Sequence, residues 1–144
     1  MNQEDLAAIG QRFIEALRRV ESGEDGAAAA MAELFSDDAR ITNAALRLAG
    51  REHQGREGAK IFWEEYQRSI GRARSNFLRV TTGDRAVGLF WKTALEGEGD
   101  AEAGGYDGAT LLMLDDDGRI RRFHGYYDTR QLVSSPVTQA PNVR

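Results

Sequence analysis

The apolar positions of this chain recur with two periods. From Asp5 to Val20, Leu6, Ile9, Phe13, Leu17 and Val20 follow helical spacing, and Asn2 stands where a cap belongs. The turn residues of "SGEDG", Ser22 to Gly26, end that helix. Ala27 to Phe35 predicts a short second helix burying Met31, Leu34 and Phe35. "DDARITNAALRLAG" suits a short strand and a loop. Gly55 to Ile70 predicts a third helix, with Phe62, Trp63, Tyr66 and Ile70 on one face. After Gly71 the period changes to two, and Asn76 to Thr82, Arg85 to Glu96, Tyr106 to Leu114 and Arg119 to Tyr127 read as strands. "TGD", the Gly-rich "EGEGDAEAGG" and "DDDG" mark the turns between them. Helices followed by an antiparallel meander predict an α+β domain, with the helices on one face of a curved sheet.

Along Arg85 to Glu96, Val87, Leu89, Trp91, Thr93 and Leu95 share one face, and Gly88, Phe90, Lys92, Ala94 and Glu96 share the other. The first face is expected to close over the helices and a pocket. The second carries Phe90, with Tyr126 beside it, and is expected to be covered by a second copy of the chain, giving a homodimer through the outer sheet face.

Composition narrows the function classes. A chain of 144 residues has one domain's worth of core, and 19 basic against 23 acidic residues leave a net charge of −4. Such a chain lacks the basic excess that phosphate backbones require, so no nucleic-acid partner is expected. With no cysteine, disulfides, thiolate metal sites and thiol nucleophiles are excluded. No basic and apolar leader and no membrane-length apolar run is visible, so a cytoplasmic protein without a membrane partner is expected. The domain is expected over residues 1–132, and the polar 133–144, which holds both prolines, is expected to be a flexible tail.

The stretches "LFSDDARI", "GREGAKIFWEEY", "RAVGLFWKTALEG" and "DDDGRIRRFHGYYD", taken in this order and spacing, resemble the nuclear transport factor two-like superfamily, and most closely its SnoaL-like, polyketide cyclase-like branch. The resemblance spans roughly Leu6 to Leu132. It implies a cone-shaped α+β barrel, with three N-terminal helices packed in a strongly curved mixed or antiparallel sheet around an interior pocket. It also implies dimers through the outer sheet face. The superfamily holds ketosteroid isomerases, limonene epoxide hydrolases, polyketide cyclases, dehydratases and non-enzymatic binding domains, so fold alone does not decide function.

Laid on the ketosteroid isomerases, this sequence puts Asn43 where the base belongs, Phe13 at the oxyanion tyrosine and Thr110 at the second acid. An amide takes no proton near neutral pH and a phenyl ring donates no hydrogen bond. Laid on the epoxide hydrolases, Trp91 and Thr93 replace an arginine and an aspartate, and Gly125 replaces the other aspartate. The familiar acids are therefore replaced. What remains for the interior is Asn43, Trp63, Tyr66, Leu89, Trp91, Thr93, Tyr106, Thr110, Phe123 and Tyr127, a set suited to a small apolar or aromatic ligand or to plain core packing.

His53, in "GREHQG", is expected in a solvated loop or overhanging the pocket as a base. Asp128 is expected to cap the turn before "TRQL" or pair with an arginine, with catalysis as its alternative. His124 is expected to point away from the interior. Asp115, Asp116 and Asp117 fit a hairpin turn rather than a calcium loop, no dinucleotide motif is present, and no metal or cofactor is expected. The Gly-rich 97–105 could act as a lid. Three functions stay open: a binder of small molecules without chemistry; an isomerase, cyclase, dehydratase or hydrolase-like enzyme on a hydrophobic substrate using His53 or Asp128; and a dimeric protein-interaction module.

Overall fold

A computed structural model describes residues 1–70, 73–96 and 102–133. The first helix, α1 (Gln3–Glu21), starts where its cap is strongest. The Asn2 side chain accepts from the Asp5 amide at 2.8 Å, and the Asp5 carboxylate accepts from the Asn2 amide at 3.0 Å. One stripe of α1, from Leu6 through Phe13 to Val20, is buried. Gly10 lies on that stripe because a Cβ there would stand 3.1 Å from Val87 Cγ1, so its absence lets α1 settle onto the sheet.

The second helix, α2 (Ala27–Ala32), is shorter than the sequence pattern predicts. The chain leaves it before Phe35, which opens β1 (Phe35–Asn43) and pairs with Ile120. The burial of Phe35 that suggested helix is supplied by a strand instead. The stretch expected to be a loop holds a further short helix, α3 (Ala44–Leu48). It is followed by β2 (His53–Gln54) and the long α4 (Gly55–Ile70). Then come β3 (Ala73–Gly83), β4 (Ala86–Glu96), β5 (Glu102–Leu114), β6 (Ile120–Tyr127) and the single turn α5 (Arg130–Val133). Residues 97–101 of the expected lid lie outside the described residues, whereas 102–105 belong to β5. Of the expected tail, residues 134–144 lie outside them as well.

The six strands form one mixed sheet in the order β2-β1-β6-β5-β4-β3. All neighbours are antiparallel except β1 and β6, which run parallel. Register shifts between Phe77 and Arg79, Ala94 and Glu96, and Met113 and Leu114 increase local twist and bend the sheet. It curves without closing, since β2 and β3 are its two edges. Along β4, Val87, Leu89, Trp91, Thr93 and Leu95 are buried, while Phe90, Lys92 and Ala94 are exposed, as the alternation predicts. The buried face, α1, α2 and α4 enclose a single core. No described helix is long and apolar enough to cross a membrane.

Candidate functional site

The last residue of α1 turns inward. Glu21 is only 5% exposed, and three donors converge on its carboxylate. The Ser75 amide donates to Oε1 at 2.9 Å, and Oε2 accepts from the Ser75 hydroxyl at 2.6 Å and the Tyr66 hydroxyl at 2.7 Å. The elements explain the meeting. Glu21 follows Val20 on the apolar stripe of α1, Ser75 alternates inward on β3, and Tyr66 projects from the inner face of α4. Buried polar atoms this well matched cost little, whereas any one of them left alone would be expensive.

Two chains of hydroxyls lead away from the carboxylate. Ser75 Oγ lies 2.6 Å from Thr93 Oγ1, and the Tyr66 hydroxyl is hydrogen-bonded to that of Tyr106. Thr93 and Tyr106 sit directly opposite one another on β4 and β5, so both chains end side by side. Burial pushes the Tyr66 hydroxyl well above the ordinary tyrosine range, and the neighbouring Tyr106 and Glu21 add to the rise. Burial likewise raises Tyr106, helped by Tyr127. Both phenols therefore remain neutral donors at physiological pH.

Around this end lies an aromatic trio. Trp91 meets Tyr106 edge-on at 5.3 Å, Tyr106 meets Tyr127 at 5.3 Å, and Trp91 to Tyr127 is 6.4 Å. Trp91 Nε1 donates to Thr110 Oγ1 at 2.9 Å, so Thr110 holds the indole in place. Trp91 also stands opposite Gly108, where a Cβ would come within 3.0 Å of the indole. Thus Tyr66, Trp91, Thr93, Tyr106, Thr110 and Tyr127 are brought together.

Three other expected residues lie elsewhere. Trp63 and Phe123 pack 5.4 Å apart in a second aromatic group with Phe13 and Phe62, deeper among the helices, and belong to the core. Asn43 does not offer its side chain to the interior. It caps α3, its Oδ1 accepting from the Leu46 amide at 2.8 Å. A Cβ at Gly125 would stand 3.3 Å from Asn43 Cβ and 3.7 Å from the Phe123 ring, so the missing side chain makes room for Asn43 and Phe123.

Neither expected catalytic candidate joins the network. His53 is not in a solvated loop. It is half-buried on β2, paired with Ile41, edge-on to Phe62 at 6.0 Å, and its Nε2 approaches Glu65 at 3.4 Å without hydrogen-bond geometry. Asp128 caps the α5 turn, accepting from the Arg130 amide at 2.9 Å and pairing with its guanidinium at 2.8 Å. That guanidinium holds the Asp128 carboxyl below its usual range. His124 points to the outer face and stacks on Tyr126 at 3.8 Å, where burial first, then Arg47 and Arg122, pushes its pKa down. This outer face has an open groove of about 710 Å³ between α3 and the sheet, lined by Arg47, Phe90, Ala109, His124 and Tyr126 among others. No cluster of three or more His, Asp or Glu side chains fit to hold a metal occurs among the described residues.

Sequence reasoning missed Glu21 and Ser75. One signal was available: an acid in the last turn of a helix opposes the helix dipole, and Glu21 also continues the stripe of Phe13, Leu17 and Val20.

Comparison with known proteins adds the following. The SnoaL-like domain family model matches residues 11–123. A solved structure described as that of the epoxide hydrolase/cyclase-like enzyme SalBIII, with a role in pyran ring formation in polyether salinomycin, is similar. Its TM-score is 0.69 and its identity 12%, over 90% of this chain and 95% of that one. A de novo designed protein with a curved β-sheet is also similar, with TM-score 0.64 and 16% identity over 99% of this chain and 97% of that one. No curated protein sequence matches the chain.

Proposed function

Because the chain belongs to the SnoaL-like domain family, which includes cyclases and isomerases, we propose that it binds a small apolar or aromatic molecule on the concave side of its sheet. The observation that carries this reading is the Trp91, Tyr106 and Tyr127 trio set against the Glu21 network: apolar ring faces beside a few fixed polar groups. The familiar acids are replaced at Asn43, Thr93, Thr110 and Gly125, and Asn43 has the separate task of capping α3. A screen of apolar aromatic compounds by thermal unfolding tests it. Binding to the native state should raise the midpoint in a concentration-dependent way, and Trp91→Ala should abolish the shift. A midpoint indifferent to every compound would overturn the reading.

A second reading, an isomerase- or cyclase-type enzyme without cofactor, is favoured by one observation. Glu21 gives the concave side a carboxylate that can exchange protons through Tyr66 and Tyr106, whereas His53 and Asp128 are engaged elsewhere. Turnover of a hydrophobic ketone or epoxide, lost in Glu21→Gln, would establish it.

We further propose that the outer face is covered by a second copy of the chain. Phe90, Ala109 and Tyr126 are in register across β4, β5 and β6, and the two aromatics are 44% and 48% exposed.

A further inference from the structure

The hydrogen-bond directions of the buried network follow from counting protons. A hydroxyl carries one proton and an ionised carboxylate carries none. Ser75 spends its proton on Glu21 Oε2, so at the 2.6 Å contact between Ser75 and Thr93 it is Thr93 that donates. Tyr66 spends its proton on the same Oε2, so in the Tyr66–Tyr106 pair it is Tyr106 that donates. Every proton in both chains therefore points toward Glu21, and each chain ends in an oxygen with unused acceptor capacity: Thr93 Oγ1 and Tyr106 Oη. The two belong to directly paired residues and stand beside the rings of Trp91 and Tyr127. Trp91 Nε1, the nearby donor that might have served either oxygen, is committed to Thr110. Donation to a charged group also polarises the donor, so a hydroxyl bound to a carboxylate becomes a better acceptor at its own oxygen.

We infer that this site selects an aromatic or apolar ligand bearing a hydrogen-bond donor, such as a phenol, enol or alcohol hydroxyl, which it orients onto Tyr106 Oη and Thr93 Oγ1, with Glu21 fixing the direction of both chains. The inference rests on the ligand-binding reading above and names the class of ligand that reading leaves open. Glu21 acts here as a positioning residue, because it touches the ligand only through Tyr66 and Ser75.

The test uses matched pairs differing in one group: p-cresol against p-xylene, 2-naphthol against 2-methylnaphthalene, with 2-methoxynaphthalene as an acceptor-only control. Affinities are measured by calorimetry on the full chain. The hydroxyl members should bind about fivefold to tenfold tighter than their methyl partners, the worth of one net hydrogen bond. Tyr106→Phe should erase that preference while leaving the methyl partners' affinity within about twofold. Glu21→Gln should invert it. Its amide oxygen accepts from the Ser75 amide, its NH2 donates to Tyr66 and Ser75, and both chains must then donate outward, so 2-methoxynaphthalene should overtake 2-naphthol. If Glu21→Gln does not fold, Tyr106→Phe and Thr93→Val still decide the matter. Equal affinities within each pair, or a hydroxyl preference that survives Tyr106→Phe, overturn this inference while leaving apolar binding intact. Failure of every compound to bind overturns the ligand-binding reading and this inference with it.

Discussion

Glu21 occupies the position at which helices ordinarily favour lysine or arginine, and Arg18 and Arg19 just before it follow that rule. An acid there, inside the core, is held by the Ser75 amide, the Ser75 hydroxyl and the Tyr66 hydroxyl. The helix pattern made α1 legible, because its apolar stripe depends on residues a few positions apart. Glu21's partners lie on α4 and β3, 45 and 54 residues away, and no local period announces such a meeting. Residue pattern also predicted His124 outward but did not predict its burial against Tyr126, which depends on α3 and on a stack with an in-strand neighbour. That burial carries a pH prediction. The folded pKa of His124 lies below the ordinary 6.5, so the unfolded chain binds the proton more readily. The neutral imidazole's contribution to stability is complete above about pH 6.5, declines as pH falls through that value, and levels off once the pH is below the folded pKa. Urea unfolding between pH 7.5 and 5 should show this decline, and His124→Gln should flatten it. A slope unchanged by the substitution would assign the pH dependence to other groups.

At the scale of elements, the alternation along β4 was legible because a strand half-buried on each side must alternate, and its inner set of Val87, Leu89, Trp91, Thr93 and Leu95 is buried as predicted. Element ends were less legible. Phe35 satisfies a helical stripe and a strand equally well, and only its pairing with Ile120 on the distant β6 decides for strand. The parallel β1–β6 pair is invisible to local pattern for the same reason. The helix α3, five residues long, was missed because so short a helix has little propensity of its own and depends on its cap. Asn43 supplies that cap, so Asn43→Ala should cost about 1 kcal/mol of stability. It should leave the affinity for an apolar aromatic ligand within about twofold, since capping faces the amide of Leu46 and not the Trp91 trio. Denaturant unfolding and calorimetry on one preparation separate the two. A large loss of affinity at unchanged stability would return Asn43 to the ligand.

For the whole molecule, the sheet has two faces with different fates. The concave face is filled by α1, α2 and α4, so its apolar residues are accounted for. The outer face has no such cover among the described residues, yet it carries Phe90 and Tyr126 in register through Ala109, beside the groove that α3 borders. A row of aromatics exposed across three strands costs solubility unless something covers it, and a face that is flat along the strands suits a copy of itself, since a twofold axis pairs like with like. Association should therefore depend on this row and leave the fold alone, because neither ring packs into the core. Light scattering on the eluting peak should give twice the 15.9 kDa of one chain. Phe90→Glu, combined with Tyr126→Lys to rule out a new ion pair within one subunit as the only change, should shift the mass to that of a single chain. Far-ultraviolet dichroism should be unchanged, because an outward charge on an exposed strand position disturbs no buried neighbour. A single-chain mass for the unaltered protein, or a doubled mass that survives both substitutions, would remove the outer face from the assembly and leave its aromatics for a different partner.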